Sequence, residues 1–311
     1  MSTDSGSNGQ LLPGTGELRV TPARHQGLDF VGRMTGLDLR QGINDAQRDA
    51  IDAAMDRFAV LVLPGQRLDD EQLFSLGQRF GPIESAASQT FQERRRIANL
   101  QINDISNLDE DGAILATSDR YRLSSLGNRL WHSDSSFKAE PARYSMLHAR
   151  VIPPEGGETE FADMRAAWDA LPAKLKQAAQ DLVCEHSIVY SRNKIGFNAF
   201  SADELARCTP VPQRLVRRHE RTGRRSLFLS SHIGRIKGWP TPEALLFIQD
   251  LCEFATQREF VYRHSWQVHD LVIWDNAATM HRGLAFDSQR YPRDLRRVTV
   301  KGLASTLACP A

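Results

Sequence analysis

The sequence predicts a mainly β protein with flanking helices, a β-sandwich or jelly roll rather than a doubly wound parallel sheet. Three observations carry this: short apolar runs of strand length recur through the chain, helical stretches interrupt them without regular alternation, and no internal repeat is present. A chain of 311 residues that is 41% hydrophobic can supply a sizeable core.

Residues 1–16, "MSTDSGSNGQLLPGTG", offer little apolar surface to offset the entropy of ordering and read as a flexible N-terminal tail. A single domain is expected over 17–303, followed by a C-terminal tail at 304–311. Asn44 is placed to cap a helix whose apolar stripe is Ala46, Ile51, Ala54, Met55 and Phe58, and "AVLVLPG" then switches to a buried strand. "DDEQLFSLGQRFGP" repeats the signal with Leu73, Leu76 and Phe80 and stops at Gly-Pro. From Ile83 to Asn128 the chain is polar and too long for a plain connector, so a mobile active-site lid with a strand in it is expected. Within it Arg94, Arg95 and Arg96 read first as a solvated face, although in a lid they could steer an anion. "ARYSMLHARVI", "SLFLSS", "FVYRHSW", "DLVIWD" and "RRVTVKG" follow as strands, with "MRAAWDALPAKLKQAAQDL" and "TPEALLFIQDLCEFATQ" as helices.

Composition narrows the function. Lys and Arg (39) nearly cancel Asp and Glu (38), which argues against a general attraction to nucleic acid or an anionic membrane. Cys184, Cys208, Cys252 and Cys309 lie far apart without a CxxC pair, against a zinc knuckle and a disulfide framework. No leader-like segment and no run of membrane-spanning length is seen, so a cytoplasmic location is expected; the sequence leaves homo-oligomerisation open.

"LWHSDSSF" sets His132 and Asp134 two residues apart, on one face if the segment is extended. Such a pair alone is as well explained by a surface hydrogen bond. His281, at the far end of the apolar "DLVIWDNAATMHRG", is the best third ligand; two imidazoles and a carboxylate form the facial triad of non-haem Fe(II) oxygenases, with positions left open for cosubstrate and oxygen.

"WHSD", "GGETEFADM" and "WDNAATMHRG" followed by "RDLRR" resemble the taurine dioxygenase and 2,4-dichlorophenoxyacetate dioxygenase family of Fe(II)- and 2-oxoglutarate-dependent enzymes. "LWHSDSSF", "ARYSML", "DMRAAWDALP" and "ATQREFVYRHSW" bring the chain nearest the herbicide-degrading branch, and the likeness runs from about Asp29 to Gly302. The resemblance implies a double-stranded β-helix, a metal held by His132, Asp134 and His281, and 2-oxoglutarate and O2 as cosubstrates. Its distal carboxylate would be held by Thr159 and Arg293, a pairing in accord with a guanidinium fork and a hydroxyl donor. Asn128, Tyr190, Ser191, Arg192, His232 and Arg297 match or neighbour the positions where the family lines its substrate side, and the substrate implied is a small anion, an aryloxyalkanoate first. A sulfonate, sulfate ester or natural acid in the same reaction, or a jelly roll that binds metal without turnover, are the rival expectations. The chain departs from the family at His269, usually Gly, and at Ala277, usually Arg.

Overall fold

The computed structural model describes residues 10–11, 18–23, 29–85, 96–302 and 304–308. Its main sheet has eight strands in the order Gln10–Leu11, Arg19–Pro22, Val31–Thr35, Val60–Leu63, Leu271–Asp275, Tyr144–Val151, Asp294–Thr299 and Ile102–Ser106. Neighbours run antiparallel except Val31–Thr35 against Val60–Leu63. A second sheet sets Thr159–Asp163 between Val261–His264 and Thr279–Gly283.

Period-two alternation decides what each face of the main sheet covers. Val60, Val62, Val272 and Trp274 pack with Phe161 and Trp266 of the second-sheet region, whereas Leu61, Leu63, Leu271 and Ile273 pack on the two N-terminal helices. These central strands are therefore apolar on both faces, which is why they read as continuous runs rather than alternating ones. A third cluster seats the helices Met164–Ala170 and Thr241–Ala255 against Ala162 and Met280.

Helix Asp45–Phe58 starts at Asn44 with the reciprocal capping box to Gln47, and buries Ile51, Ala54, Met55 and Phe58. Ala46 of the expected stripe is exposed in its first turn. Helix Asp70–Gln78 is capped by Asp69 and buries Leu73 and Leu76. The run read as one helix from Met164 divides into Met164–Ala170 and Ala173–Ala179, because Pro172 forces Leu171 to an extended conformation with ψ 134.

Of the expected N-terminal tail, Gln10–Leu11 pairs with Arg19 and Val20, and the rest lies outside the described residues. At the other end Thr306 is buried, donating to Gln213 and accepting from the Arg214 N–H, so 304–308 packs on the domain. Within the 83–128 segment the expected strand is Ile102–Ser106, joined by a helix at Arg120–Ser125; residues 86–95, with Arg94 and Arg95, lie outside the described residues. Arg96 corrects the solvated-face reading: its side chain is 11% exposed and is bonded to both Asp104 and Asp294, which ties this segment to the strand that follows Arg293.

Candidate metal and cosubstrate centre

His132 lies in an extended segment after the turn Leu126–Arg129 and forms an isolated bridge with His281, each N–H donating to the other's carbonyl at 3.0 and 2.8 Å. The chain turns immediately after His132, with Ser135 at φ 53, and brings Asp134 back beside both histidines. One ligand atom from each of His132, Asp134 and His281 can be chosen so that all lie within 4.8 Å of one another. The three are 5%, 4% and 6% exposed.

Each donor is in the state a cation needs. His132 Nδ1 donates to the Leu130 carbonyl at 2.7 Å, which leaves the Nε2 lone pair free to bind. Burial lowers the pKa of both histidines, so the imidazoles are neutral. For Asp134 burial acts to raise the pKa, but the charge of Arg297 leads the groups that outweigh it and bring it down to about 2. Its Oδ2 accepts from Ser145 Oγ at 2.7 Å and its Oδ1 from Arg297 Nη1 at 2.6 Å. Asn276 supports this arrangement. It accepts from the Asp134 N–H and from Trp274 Nε1, both at 3.1 Å, and donates to Ser145 Oγ at 3.0 Å. Two neutral imidazoles and a carboxylate on one side of a shared point fit a divalent iron-type cation; no thiolate contributes.

A cavity of about 170 Å³ opens beside this cluster, lined by His132, His281, Asn128, Thr159, Arg293 and Arg297 among others. Apolar Ile105, Leu126, Leu147, Leu284 and Phe286 face its remaining volume. Arg293 differs from Arg296 and Arg297, which bond carboxylates. Its Nη2 donates to the Gly157 carbonyl at 3.1 Å and its buried Nε has no partner among the described residues. Among the described residues no carboxylate pairs with it, and burial lowers its pKa to about 10. A desolvated guanidinium beside a cavity is an anion site in waiting. The "GG" of "GGETEF" makes this approach possible: both glycines have φ near +75, and a Cβ on Gly157 would sit 3.2 Å from Arg293 Nε.

Sequence reasoning thus brings together His132, Asp134, His281, Thr159, Arg293, Arg297 and Asn128. Tyr190, Ser191, Arg192 and His232 are placed differently, outside the cavity lining. Tyr190, Ser191 and Arg192 lie on the helix Ile188–Lys194: Tyr190 packs over Gly234, and Ser191 bonds the Ile188 carbonyl. Arg192 holds the covering segment from behind through Ser124 Oγ and, at 3.4 Å, Asn128 Oδ1. His232 is buried edge-on to His132 and Phe137, at 5.9 and 4.8 Å between ring centroids. Ser145, Asn276, Asn107 and Trp266 were missed. Asn107 accepts from the Arg293 N–H at 2.7 Å and donates to the Ser288 and Tyr291 carbonyls, fixing the turn that presents the guanidinium. Polar residues of this kind carry no periodic signal; only the "N" of "WDN" next to a buried strand could have flagged one of them.

The family model described as "Taurine catabolism dioxygenase TauD, TfdA family" matches residues 19–299. The chain is 41% identical over 273 residues to an alpha-ketoglutarate-dependent 2,4-dichlorophenoxyacetate dioxygenase of Burkholderia sp. (strain RASC), covering 88% of this chain and 92% of that one. It is 36% identical to the (S)-phenoxypropionate/alpha-ketoglutarate-dioxygenase of Sphingobium herbicidovorans, over 83% of this chain and 87% of that one. Among solved structures, AAD-2 in complex with Mn(II) and N-oxalylglycine superposes with a TM-score of 0.88 at 47% identity, covering 93% of this chain and 99% of that one.

Proposed function

The chain belongs to the taurine catabolism dioxygenase TauD, TfdA family, and from that premise we propose that it hydroxylates a small anionic aryloxyalkanoate, 2,4-dichlorophenoxyacetate or a close analogue. The single observation that carries the reading is the desolvated Arg293 guanidinium, without a carboxylate partner among the described residues, in one cavity with the His132, Asp134 and His281 cluster.

His132, Asp134 and His281 would hold Fe(II), and Ser145 and Arg297, each donating to one oxygen of Asp134, fix the orientation of its carboxylate. The iron supplies oxygen activation coupled to decarboxylation of 2-oxoglutarate to succinate and CO2. Arg293 and Thr159 grip the far carboxylate of 2-oxoglutarate, which fixes how that cosubstrate enters. Arg297, four residues on and within the strand Asp294–Thr299, lies nearer the metal cluster through its bond to Asp134 and is the anchor for the substrate carboxylate. With the carboxylate so placed, the ring would rest among Leu126, Leu147 and Phe286, and the carbon between ether oxygen and carboxylate would lie toward the His132, Asp134 and His281 cluster. Hydroxylation there makes a hemiacetal that collapses to a phenol and glyoxylate. Asn128, whose Oδ1 accepts from Arg192, also lines the cavity.

We read the two sheets as a jelly roll and the segment 17–303 as a single dioxygenase domain; the packing of Phe161 and Trp266 between the sheets supports both. Among the described residues no helix is long and apolar enough to cross a membrane. A panel of aryloxyacetates, aryloxypropionates and taurine, incubated with Fe(II), 2-oxoglutarate and ascorbate, tests the substrate class. Phenol should appear from the aryloxy acids; sulfite from taurine with no phenol from any aryloxy acid would reverse the assignment.

A further inference from the structure

The cavity wall beside Arg293 holds a hydroxyl whose direction is set from behind. Thr159 Oγ1 accepts a hydrogen bond from Trp266 Nε1 at 3.0 Å, and the two residues are 3% and 5% exposed. An indole N–H can only donate, whereas a hydroxyl has one proton and two lone pairs. The contact therefore consumes a lone pair and leaves the Thr159 proton for another acceptor. Among the described residues Thr159 Oγ1 donates to none. Thr159 lines the cavity and Trp266 does not, so the tryptophan lies on the core side of the threonine.

Trp266 is itself held. Its strand neighbour His264 pairs in register with Thr159, and the chain beyond it carries the indole back over that residue. The ring meets His264 edge-on at 4.6 Å and 88°, His264 stands 3.2 Å from Asp270, and the indole packs with Phe161, Val272 and Trp274.

We propose that Trp266 is a positioning residue: its N–H holds one lone pair of the Thr159 hydroxyl toward the core, which turns the remaining proton and lone pair to the cavity side and leaves the proton free to be donated there. Thr159 is thereby set to donate to a carboxylate acceptor beside Arg293. This rests on the reading that Thr159 and Arg293 hold the distal carboxylate of 2-oxoglutarate.

The test is a calorimetric titration of the Mn(II)-loaded protein with N-oxalylglycine, a dicarboxylate of the same length as 2-oxoglutarate, together with Michaelis constants for 2-oxoglutarate and an aryloxyacetate. Trp266→Phe keeps an aromatic ring and removes the N–H. It should weaken N-oxalylglycine binding roughly three- to tenfold, the effect of one neutral hydrogen bond. The 2-oxoglutarate constant should rise in parallel while the aryloxyacetate constant stays within about twofold. In a Thr159→Val background the same change should add nothing, because no hydroxyl remains to be oriented. Equal weakening in both backgrounds would mean that the indole acts by packing, and the inference falls. If Thr159→Val weakens binding but Trp266→Phe does not, the inference alone falls; if Thr159→Val leaves binding unchanged, the cosubstrate reading falls with it. Should Trp266→Phe fail to fold, benzothienylalanine at position 266 keeps the bicyclic shape and replaces the N–H by sulfur, with the same outcomes.

Discussion

Replacing Arg293 by Met should move ligand-free stability and cosubstrate binding in opposite directions. In the ligand-free protein the guanidinium is desolvated, its one hydrogen bond among the described residues goes to the Gly157 carbonyl, and burial holds its pKa at about 10 against a usual 12.5. That difference corresponds to an unfavourable burial cost on the order of 3 kcal/mol. Losing the Gly157 bond and the contact with the Phe286 ring offsets part of the relief, so the variant should gain about 1 to 2 kcal/mol. At this chain length about 2 °C per kcal/mol is expected, a rise in Tm of roughly 2 to 4 °C. Binding should suffer, because a charged hydrogen-bond partner worth roughly 1.5 to 3 kcal/mol is gone and affinity falls about ten- to a hundredfold. At one hundred times the wild-type Kd, 2-oxoglutarate stabilises the parent by about 2.7 kcal/mol and the variant by only about 0.4 to 1.4 kcal/mol. Thermal melts of the Mn(II) protein with and without 2-oxoglutarate read both effects. A variant that is less stable alone yet keeps the full ligand-induced rise would show that Arg293 braces the fold and does not bind the cosubstrate.

Other changes separate the remaining roles. Ser145→Ala removes the donor to Asp134 Oδ2 and should weaken Mn(II) binding by about ten- to a hundredfold, read by titration of the free ion; unchanged affinity would deny the serine its supporting role. Arg297→Ala should raise the Michaelis constant for the aryloxyacetate far more than that for 2-oxoglutarate, and the reverse ranking would exchange its role with that of Arg293. His186 is fully buried on Phe228 with neither ring nitrogen bonded among the described residues, and burial lowers its pKa to about 3. The unfolded state, with a usual histidine pKa of about 6.5, binds more protons between those values, so this group's contribution is present above pH 6.5 and is lost as pH falls toward 3. From pH 7 to 5 the loss is about 2 kcal/mol, and His186→Leu should flatten denaturant-measured stability over that range by the same amount; an unaltered slope would place the acid sensitivity elsewhere.

The fold was legible where local chemistry repeats. Asn44 and Asp69 announce their helices because a side-chain acceptor must meet an otherwise unpaired N–H, and the central strands announce themselves because both faces are covered. Arg96 was not legible. Its run reads as solvated until the distant Asp294 is brought beside it, and only the pairing of Asp294–Thr299 with Ile102–Ser106 does that. The same limit separates the site residues. The triad sits in short motifs with a chemical signature, whereas Ser145, Asn107 and Trp266 act through single contacts to residues far away in the chain. Arg192 shows the converse: its sequence position suggested the substrate side, but the closeness of Gly127 lets the guanidinium lie behind the cavity wall. His269 takes φ 71, a left-handed conformation, which gives a physical reason for the glycine usual at that position.

We propose that His132, Asp134 and His281 hold a catalytic Fe(II) that couples 2-oxoglutarate to oxidation of an aryloxyalkanoate. Counting products from 2,4-dichlorophenoxyacetate under air, in the wild type and in Asp134→Ala, decides this. Succinate, the phenol and glyoxylate should appear in equal amounts from the Fe(II) wild type, and none above background from the metal-stripped wild type or the variant. Phenol released at the same rate after the metal is stripped, or in Asp134→Ala, would contradict it.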